Sequence, residues 1–421
     1  MSGASVAGSA WLEDAELQRL LQVLGAGGEE ARIAGGAVRN ALLGEAVADV
    51  DIATTTHPDE TMRRAEQAGF KAVPTGAEHG TITVIAGGKG HEVTTLRADV
   101  ETDGRRAKVA FGRDWKADAE RRDFTINALY AEADGSVIDL VGGLADLESR
   151  TLRFIGDAEA RIREDYLRIL RFFRFFAYYG SGRPDAEGLK ACARLKDGLE
   201  RLSAERVWSE LKKLLSAPDP SRALLWMRQA GVLTKALPES EKWGIDAIHG
   251  LVAAERDLGW RPDAMLRLAA MVPPDPDRMR GLAERLKLSN ADAERLTEWA
   301  MAPAAVSATT ERELARTLYR RGRQPIVDRL RLSLASARVR AAESDVALIE
   351  AGGYARQLKF AEKWAAPDFP LKGADLKGLG VPAGPGMGRL LKQLEEEWIE
   401  ADFRPGRDAL LERAAKVGSN D

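Results

Sequence analysis

Cysteine is nearly missing: Cys192 stands alone in 421 residues, so no intrachain disulfide can form and a reducing, cytoplasmic setting is the expectation. Histidine is scarce too. His57, His79, His91 and His249 are scattered, with no zinc-ligand spacing among them. No run of about 18 apolar residues occurs, so a membrane-spanning helix is not expected and no membrane partner is implied. The first ten residues lack both a basic start and an apolar stretch, so they do not read as a signal peptide. Neither sign of charge is in excess: 62 Lys and Arg face 65 Asp and Glu, a net charge of −3. A surface for a polyanion must therefore come from segregated charge. No fixed-period repeat is visible and no protein partner is evident.

What is there is a chain long enough for two to four domains. Residues 11–25 carry Leu12, Leu17, Leu20, Leu21 and Leu24 at helical spacing, and Gly25, Gly27 and Gly28 stop that helix. From there to about residue 150, β-like runs at 50–53, 81–86, 91–95 and 137–141 alternate with helical runs at 37–43, 58–68 and 122–130. Beyond Thr151 helical periodicity takes over, interrupted at 216–220, 238–243, 273–276 and 351–353. The fold class expected is α+β, a mixed sheet with helices followed by an all-helical remainder.

Asp49 and Asp51 fall in a β-like run, 47–53, where residues two apart project to the same side. Two converging carboxylates repel unless a cation lies between them, and hard oxygen ligands suit Mg²⁺. Glu92, at the head of the run 92–97, is placed to complete such a site from a neighbouring strand. Upstream, Gly35-Gly36-Ala37-Val38-Arg39 sets a glycine pair before a short helix. Close backbone approach, free helix N–H groups and the forked cation of Arg39 together make a phosphate cradle. Taken singly, each feature also suits a solvated strand face or a plain turn.

Together, Gly35-Gly36-Ala37-Val38-Arg39 and Asp49-Val50-Asp51-Ile52-Ala53-Thr54 resemble the first motif of the polymerase-beta-type nucleotidyltransferases. More narrowly they resemble class II CCA-adding tRNA nucleotidyltransferases and the related poly(A) polymerases. Asn40 stands where that pattern often has Asp, which keeps the size and a capping oxygen. Arg121-Arg122-Asp123-Phe124-Thr125-Ile126-Asn127-Ala128-Leu129 is similar to the second family motif almost letter for letter. Read from the residues it opens a helix. The resemblance assigns Arg122 to the incoming nucleotide, and Asp123 and Asn127 to the neighbourhood of its sugar. Asp139-Leu140-Val141-Gly142-Gly143 resembles the third motif, whose glycines read as a hinge. Ala204-Glu205-Arg206-Val207-Trp208-Ser209-Glu210 resembles the fifth, with Glu205, Arg206 and Glu210 bracing a helix.

Glu164-Asp165-Tyr166-Leu167-Arg168-Ile169-Leu170-Arg171 bears on specificity. On a helix Asp165 lies beside Arg168, and Arg168 beside Arg171. Cytosine and adenine both present an amine donor next to a ring-nitrogen acceptor, which a carboxylate beside a guanidinium can match; uracil and guanine present a carbonyl instead. The resemblance gives this selection to Asp165 and Arg168; an intrahelical salt bridge is the plain alternative. The polar stretch from Leu96 to Arg121, with Asp103-Gly104-Arg105-Arg106, reads as a mobile loop. The resemblance associates it with the final A addition.

Eight arginines between Arg316 and Arg340 stand against one acid, Asp328, and read as a phosphate-binding face or as one neutralised by neighbours. Near the end, Lys372 and the glycine-proline run through Gly384, Gly386 and Arg389 open a helix suited to a backbone phosphate. They resemble the tRNA-holding tail of CCA-adding enzymes. The resemblance thus implies a nucleotidyltransferase head at 1–150, a nucleotide-selecting and RNA-binding neck at 151–240, a body at 241–340 and a tRNA-binding tail at 341–421. It implies Mg²⁺ held by Asp49 and Asp51, ATP and CTP as substrates, and tRNA as acceptor. A poly(A) polymerase, a CC-only or A-only enzyme and an inactive RNA binder stay open. Gly76-Ala77-Glu78-His79-Gly80-Thr81 looks like the CCA-type strand, and no His-Asp phosphohydrolase dyad is visible.

Overall fold

The computed structural model describes residues 3–76, 80–103, 106–241 and 244–418, so Glu78 and His79 of the CCA-type strand and Gly104-Arg105 lie outside the described residues. Two compact units divide the chain, Met1–Glu241 and Lys242–Asp421.

The first unit begins with α1 (Ala15–Leu24), started by Asp14, whose side chain accepts from the Glu16 and Leu17 N–H groups. Leu17, Leu20, Leu21 and Leu24 form its buried stripe. Then follow β1 (Ala31–Ala34), α2 (Gly36–Leu42), β2 (Asp51–Thr54), α3 (Pro58–Gln67), β3 (Lys71–Gly76), β4 (Thr81–Ala86) and β5 (Lys89–Thr95). After them come β6 (Arg97–Asp103), β7 (Arg106–Phe111), α4 (Trp115–Glu120), β8 (Leu129–Ala131), β9 (Val137–Asp139) and α5 (Gly143–Glu148). Seven strands make one mixed sheet in the order β3-β4-β5-β2-β1-β8-β9, while β6 and β7 pair with each other. Within the large sheet β2 and β5 are parallel.

Two expectations are corrected here. The stretch 96–121 is not a bare loop: β6 and β7 form an antiparallel hairpin and α4 follows, capped by Asp114. Nor does 122–130 form a helix. Arg121 closes α4, and the chain passes through one 3₁₀ turn, Thr125–Asn127, into β8. Ala128, Leu129, Tyr130 and Ala131 are buried in succession, which suits an inner strand.

Helices complete the unit: α6 (Ala158–Glu164), α7 (Leu167–Tyr179), α8 (Ala186–Leu195), α9 (Ala204–Leu215), α10 (Ser221–Gln229) and α11 (Val232–Ala236). The phenylalanines of α7 grip the second motif. Phe124 packs on Phe154 and Phe175 with ring centroids 4.9 and 5.4 Å apart, and Phe154 stacks on Phe172.

Among its described residues the second unit is built of helices: α12 (Ile245–Leu258), α13 (Ala264–Met271), α14 (Pro276–Leu286), α15 (Asn290–Met301), α16 (Glu311–Arg321), α17 (Arg323–Arg340), α18 (Asp345–Lys363), α19 (Gly373–Gly378), α20 (Pro385–Glu400) and α21 (Arg407–Gly418). The expected break at 351–353 is absent, and α18 runs through it. One core gathers residues of α16, α17 and α18, including Leu318, Leu330 and Leu358. Another joins α19, α20 and α21 around Leu376, Trp398 and Leu410.

The arginine-rich stretch is largely neutralised. Arg316 binds Glu400 and Asp402, Arg320 binds Glu396 and Glu400, Arg331 binds Glu362, Arg338 binds Asp257 and Arg340 binds Glu350. Arg323 donates to the Trp364 carbonyl and Arg329 to those of Ala300 and Ala302. These side chains tie helices together and do not form a free phosphate face.

Candidate active site

Strand register brings the acidic residues to the glycine turn. Ala34 of β1 lies opposite Asp51, so the chain leaves β1 into Gly35-Gly36 at that point. On the other edge of β2 the parallel partner β5 sets Val93 opposite Ile52, which carries Glu92 up beside Asp51. Although Asp51 is exposed at the head of β2, the protein around it displaces water and, with the charges of Glu92 and Asp49, pushes its carboxyl above the usual carboxylate range, against the pull of Arg122. Asp49 lies ahead of β2 instead of on it, because the strand begins at Asp51. His91, given no role from sequence, is buried with its ring Nδ1 3.0 Å from the Val50 carbonyl, which fixes the backbone between the two aspartates.

Among the described residues no group of three or more His, Cys, Asp or Glu side chains is drawn together as a metal cage. The donor chemistry nonetheless fits a hard divalent cation. Glu92 and Asp49 bring like charge to Asp51, and Mg²⁺ is commonly held by one or two carboxylates together with substrate phosphates.

Gly35 has φ +64° and ψ −108°, a conformation that side chains rarely adopt. A Cβ there would also meet Arg122 Nη1 at 3.1 Å and the Asn127 carbonyl at 3.2 Å. Gly36 is different: it has no positive φ, and its nearest neighbour would be Arg39 Nη2 at 3.7 Å.

Arg39 is not an open phosphate ligand, which corrects the sequence reading. It is 6% exposed, donates to Asn127 Oδ1, and reaches the Tyr179 hydroxyl at 2.7 Å while stacking on that ring at 3.9 Å. It locks the glycine turn to the second motif and to α7. Asn40 accepts from Arg39 and donates through Nδ2 to the Ala46 carbonyl at 3.0 Å, a bond a carboxylate could not make.

Arg122 is the cation that faces the acidic residues. Its guanidinium lies against Gly35 and lowers the Asp51 carboxyl. Behind it Asp118, 1% exposed, takes Arg121, Arg122 and the Tyr130 hydroxyl together. Arg121, Arg122 and Tyr130 hold that carboxyl below its usual range although burial alone would raise it. Asp123 accepts from Arg171 Nε at 2.7 Å and from Asn127 Nδ2 at 3.0 Å. Burial would raise it too, but Arg171 and Asn127 hold it low. Asp123 and Asn127, assigned by resemblance to the neighbourhood of the nucleotide's sugar, thus satisfy each other here together with Arg171, a residue the sequence reading also placed at the nucleotide. In the third motif Gly143 serves close packing, not hinging: a Cβ would strike the Thr125 carbonyl at 2.3 Å, and Asp139 pins the turn through four backbone N–H groups.

Asp165 and Arg168 do not pair. The helix is broken, with Asp165 at the extended C-terminal cap of α6, two residues before α7 begins. Asp165 is bound by Arg206 of α9 at 2.7 Å, while Arg168 donates to Glu164 at 2.5 Å and to the Arg161 carbonyl at 2.6 Å. Glu210, read as a brace, binds Arg174 at 2.6 Å. In the second unit Lys372, Gly384, Gly386 and Arg389 are exposed around the starts of α19 and α20.

Residues 31–153 match the family described as Poly A polymerase head domain, and residues 183–243 match the probable RNA and SrmB-binding site of polymerase A. Over 406 residues the chain is 36% identical to the mouse protein named CCA tRNA nucleotidyltransferase 1, mitochondrial, covering 95% of this chain and 90% of that one. The chain belongs to the CCA tRNA nucleotidyltransferase family. A CCA-adding enzyme of Limosilactobacillus fermentum is 31% identical over 93% of this chain and 94% of its own length. The crystal structure of the Bacillus stearothermophilus CCA-adding enzyme in complex with CTP superposes with a TM-score of 0.75 at 27% identity, covering 96% of this chain and 98% of that one. As a member of this family the protein is a nucleotidyltransferase with an α+β head and helices beyond it.

Proposed function

We propose that this CCA-family enzyme adds C, C and A in turn to the 3′ end of tRNA from CTP and ATP, releasing pyrophosphate, with Mg²⁺ as cofactor and no nucleic-acid template. The observation that carries the reading is Asp51 beside Glu92, with Arg122 held over the Gly35 turn next to them. Likeness to relatives named for CCA addition supports the choice of substrates.

Asp49 and Asp51 would hold Mg²⁺, with Glu92 beside them. When bound, a divalent cation polarises the triphosphate and eases ionisation of the RNA 3′-hydroxyl. Arg122 draws triphosphate charge toward the turn, and the rigid strand ends orient the reacting groups. The protein thus supplies position and charge, with no covalent intermediate on the chain.

Asp165 and Arg168 select the base. Each is held by another residue here, Asp165 by Arg206 and Arg168 by Glu164, so pairing with a base requires exchanging those partners. The division into head 1–150, neck 151–240, body 241–340 and tail 341–421 is part of this proposal. So are Lys372, Gly384, Gly386 and Arg389 as tRNA phosphate contacts, and a cytoplasmic location. The mouse relative is named as mitochondrial.

The test supplies Mg²⁺, labelled CTP or ATP, and tRNAs ending before CCA, after C and after CC. Ordered addition that stops after A supports the reading. Unlimited A tails on varied RNAs would make the protein a poly(A) polymerase, addition of only C or only A would narrow the activity, and no incorporation would leave an RNA binder. For base selection, Asp165→Ala should loosen the choice of C and A over U and G more than it weakens tRNA binding. Equal loss of both sinks that assignment.

A further inference from the structure

Arg122 shares its counter-ion unequally. Asp118 lies three residues before Arg121 and four before Arg122, so both guanidinium groups reach one carboxylate from α4 and its cap. Arg121 takes Oδ1 through short bonds, 2.8 Å from Nε and 2.7 Å from Nη2. The Tyr130 hydroxyl takes Oδ2 at 2.7 Å. Arg122 is left with long contacts to Oδ2, 3.3 Å from both Nε and Nη2, beyond the usual span of a charge-assisted bond. Its Nε also meets the Tyr130 hydroxyl at 3.2 Å, and its Nη1 donates to the Asn127 carbonyl at 3.2 Å. The guanidinium is thus located on every side, yet one carboxylate divided between two arginines leaves positive charge over. That charge sits where the Gly35 turn and Asp51 meet.

Neither supporting group can itself reach a substrate. Asp118 is 1% exposed, and Tyr130, on β8 and packed edge-on against Trp115 at 5.2 Å, is fully buried. We propose that Asp118 and Tyr130 are positioning residues that fix the Arg122 guanidinium for the nucleotide triphosphate while leaving its charge available. This rests on the reading that Arg122 contacts the incoming nucleotide.

The experiment is steady-state CTP addition to tRNA lacking CCA and ATP addition to tRNA ending in CC, with Asp118→Asn, Tyr130→Phe, Arg122→Ala and the double variant Asp118→Asn/Arg122→Ala, each checked by thermal melting. Weakening one charge-assisted hydrogen bond to the triphosphate costs about ten- to a hundredfold in binding. In Asp118→Asn the KM for both nucleotides should rise by about that factor, with kcat and the KM for tRNA little changed. Tyr130→Phe should move the same way by less. The double variant should be no worse than Arg122→Ala. A purely structural role would instead lower the melting temperature and the active fraction at an unchanged nucleotide KM, and that result overturns the proposal. So do losses that multiply in the double variant. Where Asp118→Asn fails to fold, Tyr130→Phe decides alone. If Arg122→Ala itself leaves nucleotide KM unchanged, the reading of Arg122 falls and takes this proposal with it; if only the Asp118 and Tyr130 variants are silent, the reading of Arg122 survives.

Discussion

Gly35 and Gly36 look equivalent in the sequence, yet their alanine variants should behave differently. At Gly35 two penalties combine. An L residue at φ +64° and ψ −108° is strained by roughly 1–3 kcal/mol, and its Cβ would press on Arg122 Nη1 at 3.1 Å and on the Asn127 carbonyl at 3.2 Å. The carbonyl belongs to a buried 3₁₀ turn that cannot yield easily, so Arg122 is the group that moves. Gly35→Ala should therefore lose about 1–3 kcal/mol of stability, which at roughly 2–4 °C per kcal/mol shows as a clear drop in the first melting transition. The KM for CTP and ATP should rise together by about tenfold or more as Arg122 shifts. Gly36 opens α2, and a Cβ there meets only ordinary contact at 3.7 Å. Gly36→Ala should stay within about 0.5 kcal/mol of the parent, since the gain in chain stiffness offsets small losses. Calorimetry with nucleotide kinetics on both variants is the assay. Equal losses in the two, or a Gly35→Ala enzyme that melts and binds nucleotide like the parent, would show that the turn's conformation is not what holds Arg122.

Asp51→Asn should keep the fold and cut incorporation by about a thousandfold or more, and a chelator should match that loss until Mg²⁺ is restored; a variant that incorporates CTP normally removes Asp51 from the site. Arg316→Ala with Arg320→Ala should weaken the packing of α16 on α20 and lower the melting temperature without altering the salt dependence of tRNA binding, because their carboxylate partners already neutralise them. Lys372→Ala with Arg389→Ala should instead flatten the plot of log affinity against log salt by about 0.7–0.9 per lost phosphate contact. Asp123 has a lowered folded pKa, so the stability it contributes is present above about pH 4 and lost as pH falls through that lower value. Asp123→Asn should thus cost about 1–3 kcal/mol at pH 7, a difference that shrinks under acid in denaturant titrations.

The head's mixed α/β character and the meeting of Gly35, Asp51 and Glu92 were legible because they follow from local rules. A glycine pair at a strand end and carboxylates at strand ends are short-range features, and register does the rest. What escaped was set by groups distant in the chain. Arg39 reads as a free cation until Tyr179, 140 residues on, is found stacked on it. Residues 122–130 carry helix-compatible periodicity, yet Phe124 is claimed by the phenylalanines of α7 and Tyr130 by Asp118, so packing overrides propensity. The same holds for Asp165: spacing along one helix pairs it with Arg168, but the chain breaks between α6 and α7 and Arg206 takes the carboxylate. In each case spacing along one element suggested a neighbour, and a group from another element took its place. Charge periodicity ranks neighbours along one element, and it carries no information about a guanidinium arriving from another. That limit explains why the eight arginines between Arg316 and Arg340 left a phosphate face and a neutralised one equally open, when most are spent on carboxylates and carbonyls of adjoining helices. A basic stretch therefore counts toward nucleic-acid binding only after its internal partners are subtracted. By that measure exposed Lys372 and Arg389, two residues without the numbers of the arginine cluster, are the better place to look for tRNA.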